Sequence, residues 1–146
     1  MRLNTASEVI SMSREMETAG SSFYRELATA YPEAGEQFLA FAKENEKFIA
    51  QIKRAYYSVI SDALEGGFAF DLDPEPYRLK LEMVPGISLK EGLKKALELE
   101  AKMVAFYEDG AEQSMSLMAD VPRAFKKVAQ KREQRQAVLK SMEASG

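Results

Sequence analysis

The stretch FLAFAKENEKF, Phe38 to Phe48, decides how the chain is read. Phe38, Phe41, Asn45 and Phe48 recur at three- and four-residue steps, the spacing of one face of an α-helix. The series runs on through Ile52, Tyr56 and Val59 and stops at Gly66-Gly67, a natural terminator. It predicts a helix over roughly 33–64. An amide, Asn45, and a phenyl ring, Phe48, stand three residues apart on that face.

Working outward, Thr5-Ala-Ser-Glu8 has capping-box spacing, and small or apolar residues recur at Ile10, Ser13, Gly20, Tyr24, Leu27 and Tyr31 before Pro32. A first helix over about 6–30 follows. Ser88-Leu-Lys-Glu91 is a second capping box, opening a helix over about 89–118 with Leu93, Ala96, Glu100, Met103, Tyr107, Gly110 and Leu117 on one face. Asp120-Val-Pro122 caps a last helix, about 121–143, that faces inward through Phe125, Val128, Arg132, Arg135 and Leu139.

Residues 66–87, broken by Pro74, Pro76, Pro85 and three glycines, cannot form one long helix and read as a connection. Asp73-Pro74 suits the cap of a short turn, and Phe68, Phe70, Tyr77, Leu79 and Leu81 give the segment apolar side chains to lie on a surface. The tract RLKLEMV has no partner strand. Short connections within each pair of helices and a long one between the pairs predict an all-α four-helix bundle, two antiparallel hairpins joined by a crossover. At 146 residues the chain suits one domain spanning 1–146.

Composition narrows the chemistry. The chain has neither cysteine nor histidine, which excludes disulfides, thiolate metal sites, cysteine nucleophiles and the commonest general base. Any metal would be held by carboxylates, amides or backbone oxygens. No nucleophile elbow or phosphate-cradling glycine loop is present. No apolar run approaches the roughly 20 residues that span a bilayer, and MRLNTASEVISMSREM lacks the apolar centre of a signal peptide. The expectation is a soluble, cytoplasmic protein without a membrane partner.

The formal charge of −3 conceals an asymmetry. Residues 121–146 carry seven Lys/Arg against Glu133 and Glu143, a net +5, leaving −8 on residues 1–120. The basic helix lacks the interleaved aromatics of a single-strand binder, and the acidic remainder repels phosphate, so nucleic acid is not the expected partner. The simpler expectation is that this helix packs on acidic neighbours.

The two predicted hairpins echo each other. Glu17-x-x-Gly20-x-x-Phe23-Tyr24 is matched by Glu100-x-x-Met103-x-x-Phe106-Tyr107, offset by 83 residues, and Phe38-x-x-Phe41-Ala42 by Phe125-x-x-Val128-Ala129, offset by 87. Parallel offsets of this kind point to an internal duplication of a helical hairpin.

With these segments in this order, the chain resembles the rubrerythrin branch of the ferritin-like family. That family's pattern has a Glu six residues before Phe-Tyr on its first and third helices, and Phe-x-x-Leu-Ala-x-Glu-Glu-x-x-His on its second and fourth. The resemblance covers nearly the whole chain apart from the crossover, and implies a ferritin-like bundle built around a dinuclear metal site. Carried over by position, Glu17 and Glu100 match the carboxylates of the first and third helices. The Glu-x-x-His pairs fall on Asn45 and Phe48 and on Arg132 and Arg135. Glu44 keeps an acidic position of the second helix whose counterpart on the fourth is Lys131.

Four of the six ligand positions thus depart from the pattern. Phenylalanine has no lone pair to donate, and an arginine places fixed positive charge where cations should sit. No metal is expected at the usual place. Glu17, Glu100, Arg132 and Arg135 instead fall on inward faces and are expected to meet as a charge-compensated Glu/Arg network, with Asn45, Tyr24 or Tyr107 satisfying remaining groups and Phe48 filling one ligand's volume. Tyr56-Tyr57 and Met115-Ser-Leu-Met118 are candidates for apolar surface outside one bundle, consistent with a homodimer.

Two functions fit these readings. One is a non-catalytic structural or interaction protein without cofactor, whose partner is an unknown protein or a small ligand. The alternative is a rubrerythrin-type oxidoreductase that binds iron or manganese through the residual carboxylates Glu17, Glu44, Glu46 and Glu100.

Overall fold

A computed structural model describes residues 2–59, 70–81, 86–114 and 120–145 of the chain, residues 58 and 59 by their backbone alone. These residues hold four long helices and no strand: α1 (Ala6–Ala30), α2 (Gly35–Val59), α3 (Leu89–Ser114) and α4 (Asp120–Ser145). None of them is long and apolar enough to cross a membrane.

Local chemistry sets the starts. Thr5 Oγ1 accepts the Glu8 N–H at 3.2 Å, while the Glu8 carboxylate accepts the N–H groups of Thr5 and Asn4 at 3.1 and 3.0 Å, so two donors that the helix leaves unpaired, and one just before it, are satisfied. Ser88 Oγ accepts the Glu91 N–H at 3.2 Å at the start of α3. Between α1 and α2 a single 3-10 turn, Pro32–Ala34, takes the place of the helical start expected at 33, because Pro32 supplies no N–H and stands at the first position of the turn. At the other end α4 begins at Asp120, which is the first helical residue and not a flanking cap. The stretches 60–64 and 115–118 expected to be helical, the Gly66-Gly67 terminator, Phe68 and the Met115–Met118 patch lie outside the described residues.

α1 packs chiefly on α2 and α3 on α4, and α2 against α4 is the main contact between the pairs. The approaches can be followed along the chain: Ser21 lies against Ala42 and Gly20 against Asn45, and in the other pair Glu100 meets Arg132 and Gly110 meets Phe125. Each helix buries one stripe into a common core. Seven of its aromatic rings form two clusters, Phe23, Tyr24, Phe38 and Phe41 in the first pair and Phe106, Tyr107 and Phe125 in the second, with neighbouring rings 5.3–6.3 Å apart.

The connection lies on this core. Phe70, Leu72 and Tyr77 are buried. The Asp73 carboxylate accepts the Glu75 N–H at 3.0 Å to start a 3-10 turn at Glu75–Tyr77, and the Tyr77 ring meets Phe106 edge-on. Leu3 and Leu72 exchange both backbone hydrogen bonds, at 2.7 and 3.0 Å, so the N-terminal segment forms an isolated antiparallel bridge with the connection, a pairing that no pattern in the sequence predicts.

The basic last helix departs in part from expectation. Arg132 and Arg135 meet acidic groups inside the bundle, but Lys127 and Lys131 line a surface groove together with Lys43, Lys47 and Arg54 of α2.

Candidate functional site

Glu17, Gly20 and Tyr24 stand at i, i+3 and i+7 on α1, and Glu100, Met103 and Tyr107 repeat the spacing on α3, so each helix presents a carboxylate and a phenol on its buried face. α4 turns Arg132 and Arg135 inward, three residues apart, and α2 supplies Asn45 and Phe48 with the same spacing. Glycine at 20 leaves room for the Asn45 amide: a Cβ there would lie 2.8 Å from Asn45 Nδ2, which would have to shift.

Glu17, Glu100, Asn45 and Arg132 are fully buried and Arg135 is 2% exposed. Arg132 sits between the two carboxylates. Its Nη1 donates to Glu100 Oε1 at 2.6 Å and its Nη2 donates to Glu17 Oε1. Arg135 fans out from the same helix: Nη1 donates to Asn45 Oδ1 at 2.6 Å and to Glu100 Oε2 at 3.3 Å, and Nη2 to Glu44 Oε1 at 2.6 Å and to the Phe41 carbonyl at 3.4 Å. Asn45 Nδ2 donates to the Glu17 carbonyl at 3.2 Å, so both ends of its amide are used.

The two phenols cross over. Tyr24 on α1 donates to Glu100 on α3 at 2.6 Å, and Tyr107 on α3 donates to Glu17 on α1 at 2.5 Å. Each carboxylate is therefore held by the tyrosine of the other half as well as by Arg132. Ser13 completes the Tyr107 side at 2.8 Å.

Burial and charge act against each other here. Burial pushes the Glu17 carboxyl above its ordinary value, against the opposing pull of Arg132 and Tyr107. For Arg132 the balance is reversed: burial disfavours its charge, but Glu100 and Glu17 together outweigh it and hold the guanidinium more firmly protonated than in water. Burial first, then Glu100 for Tyr24 and Glu17 for Tyr107, drive both phenols well above the usual range, so they remain donors wherever the fold persists.

The Nε atoms of Arg132 and Arg135 find no hydrogen-bond partner. Aromatic faces surround the two guanidinia instead. Arg132 lies 5.2 Å from the Phe48 ring centre, and Arg135 lies 4.7, 5.4 and 5.6 Å from Phe41, Tyr24 and Phe48. The ring quadrupoles offset part of the desolvation that the unpaired Nε atoms leave uncompensated.

Of the eight positions singled out from the sequence, the structure brings seven together: Glu17, Glu44, Asn45, Phe48, Glu100, Arg132 and Arg135. Glu46 lies outside, on the α1–α2 surface, where it accepts from Arg25 at 2.8 Å with more than half of its side chain in solvent. It follows Asn45 by one residue, and one residue turns a side chain by about 100° on a helix, away from the core. Sequence reasoning missed one partner, Ser13, and the role of another, Glu44. Ser13 was readable only as a small residue on the inward face. Glu44 is 36% exposed and bridges the network to the surface, a role its place beside Asn45 did not reveal.

No family model, curated protein or solved structure matches this chain.

Chemically, the arrangement binds charge to charge. Among the described residues, no group of three or more His, Cys, Asp or Glu side chains is placed to hold a metal ion. The two buried carboxylates are already occupied by one guanidinium, which cannot give up its proton.

Proposed function

We propose that the chain is a rubrerythrin-like member of the ferritin-like bundles in which a Glu/Arg network stands where the dinuclear metal site would be, and that it acts as a structural or interaction protein, not as an oxidoreductase. The observation that carries this reading is Arg132, whose two terminal nitrogens pair with Glu17 and Glu100, the two carboxylates the resemblance would assign to metal. The residues do not fit the metal. Of the six ligand positions the resemblance implies, Asn45 and Phe48 offer no charged donor, and Arg132 and Arg135 bring two permanent positive charges that would repel divalent ions.

The contact series supports the two-hairpin arrangement of this reading. Glu17–Asn45 and Ser21–Ala42, like Gly110–Phe125 and Glu100–Arg132, pair later residues of one helix with earlier residues of the next, as antiparallel neighbours do. The crossed Tyr24–Glu100 and Tyr107–Glu17 bonds support a duplicated hairpin, since equivalent residues of the two repeats exchange equivalent contacts.

Metal content tests the reading. Purified without chelator, offered Fe(II), Mn(II) and Zn(II) anaerobically and then desalted, the protein is expected to retain less than about a tenth of an equivalent of metal per chain by elemental analysis. Stoichiometric metal that disappears in a Glu17→Ala, Glu100→Ala double variant would instead restore an iron- or manganese-binding oxidoreductase.

A further inference from the structure

The surface between α2 and α4 concentrates positive charge. Two adjoining depressions, of about 440 and 560 Å³, share Gln51 and so form one groove. Lys43, Lys47 and Arg54 line it from α2, and Arg123, Lys127 and Lys131 from α4. The α4 cations follow at four-residue steps, as do Lys43 and Lys47, so each row lies along one side of its helix. Lys43 to Arg54 spans about 17 Å of helix.

These charges are poorly compensated within the chain. Glu44 is the groove's inner acid and is engaged from behind by Arg135. Asp120 lies at the far end, 3.7 Å from Arg123, with 80% of the arginine side chain in solvent. Among the described residues no ion pair is formed by Lys43, Lys47, Arg54, Lys127 or Lys131. Two rows of like charge facing each other across a groove cost stability in the free protein, and a chain with more Asp and Glu than Lys and Arg has acids to pair with them if folding alone were at stake.

We infer that the α2–α4 groove is a docking site for an acidic segment of a partner protein, of about three helical turns or the equivalent in extended chain. Charge complementarity names the sign of the partner, and the length of the groove limits its size. Its lining also includes the small neutral residues Ala40, Ala55 and Ala124, which leave room for a backbone at close range. A peptide fits these features better than a nucleic acid does. The groove's aromatics, Phe41 and Phe48, are buried at 6% and 1% exposure and offer no face to stack a base, and four of the six cations are lysines, which read no base edge bidentately. This inference is independent of whether metal once occupied the core.

The test is fluorescence anisotropy with the full chain and three labelled probes. One is a peptide of about twelve residues with glutamates at four-residue spacing, one its glutamine counterpart, and one a single-stranded oligodeoxynucleotide of similar length. The glutamate peptide is expected to bind, and to weaken about tenfold between roughly 50 and 200 mM salt. The exposed double variant Lys47→Glu, Lys127→Glu is expected to weaken it at least about tenfold more, while its helix content by circular dichroism stays at the wild-type level and its melting midpoint rises by about one to three degrees as the repulsion is relieved. Equal binding of the glutamine peptide, no binding of the glutamate peptide, or tighter binding of the oligonucleotide would each overturn the inference. So would a double variant that melts below the wild type, because the lysines would then be serving the fold.

Discussion

Arg132 faces two carboxylates with a guanidinium that cannot lose its proton, so removing the side chain leaves buried Glu17 with a tyrosine but no cation, and Glu100 with only the longer contact to Arg135 for its charge. Arg132→Ala is therefore expected to lower unfolding stability by about 3–5 kcal/mol in urea or guanidinium titrations. Arg132→Lys should recover only a small part of that, since one ammonium on a flexible stem cannot hold a fork between Glu17 and Glu100. A loss within about 0.5 kcal/mol for the alanine variant would mean that the pair does not bear on stability. At this scale much of the site was readable. Glu17, Glu100, Arg132 and Arg135 lie on otherwise apolar helical faces, and helical period alone brings such positions inward. Pairing was harder to read. That Tyr24 serves Glu100 and Tyr107 serves Glu17 depends on which helices are neighbours across the core, and that Glu44 reaches Arg135 depends on the length of a side chain at the edge of burial.

The helices themselves depend on ends and on close approaches. α1 starts with Glu8 accepting two backbone N–H groups, and these contacts hold its carboxyl below the ordinary value of 4.5. A depressed acid stabilises the fold above its unfolded value and loses that contribution as pH falls through the folded one. Glu8→Gln is accordingly expected to melt below the wild type near neutral pH, and the gap should close as pH falls below 4.5; a gap that is constant with pH would contradict the cap's ionic character. α3 and α4 meet where Gly110 leaves room for Phe125, and a Cβ at 110 would lie 2.7 and 2.8 Å from ring carbons. Gly110→Ala is expected to cost about 1–3 kcal/mol despite alanine's better helix propensity, a sign that calorimetry or chemical denaturation would read directly. The capping box at Thr5–Glu8 and the Ser88 side-chain cap on Glu91 mark two helix starts in the sequence itself, because their hydrogen bonds join residues only three apart. The 3-10 turn at Pro32–Ala34 and the Leu3–Leu72 bridge were not legible. One is a choice between two nearly equivalent backbone turns, and the other joins residues 69 apart with no periodic signal to announce it.

For the molecule as a whole, the helical class follows from four long runs of three- and four-residue spacing and from the absence of any second strand to pair with RLKLEMV. The sign of α4's charge was equally plain, but its distribution was not. Part of a basic helix turns inward to neutralise carboxylates and part lines a groove opposite other cations, a division set by packing and invisible to a net charge. The proposal that joins these levels is that Asn45, Phe48, Arg132 and Arg135 occupy ligand positions. The most direct test is to restore the ligands, with Asn45→Glu, Phe48→His, Arg132→Glu and Arg135→His in one chain, and to measure bound iron or manganese per folded protein beside the wild type. The account predicts about two ions per chain in the variant and almost none in the wild type. A variant that keeps its helix content and binds no more metal than the wild type would contradict it.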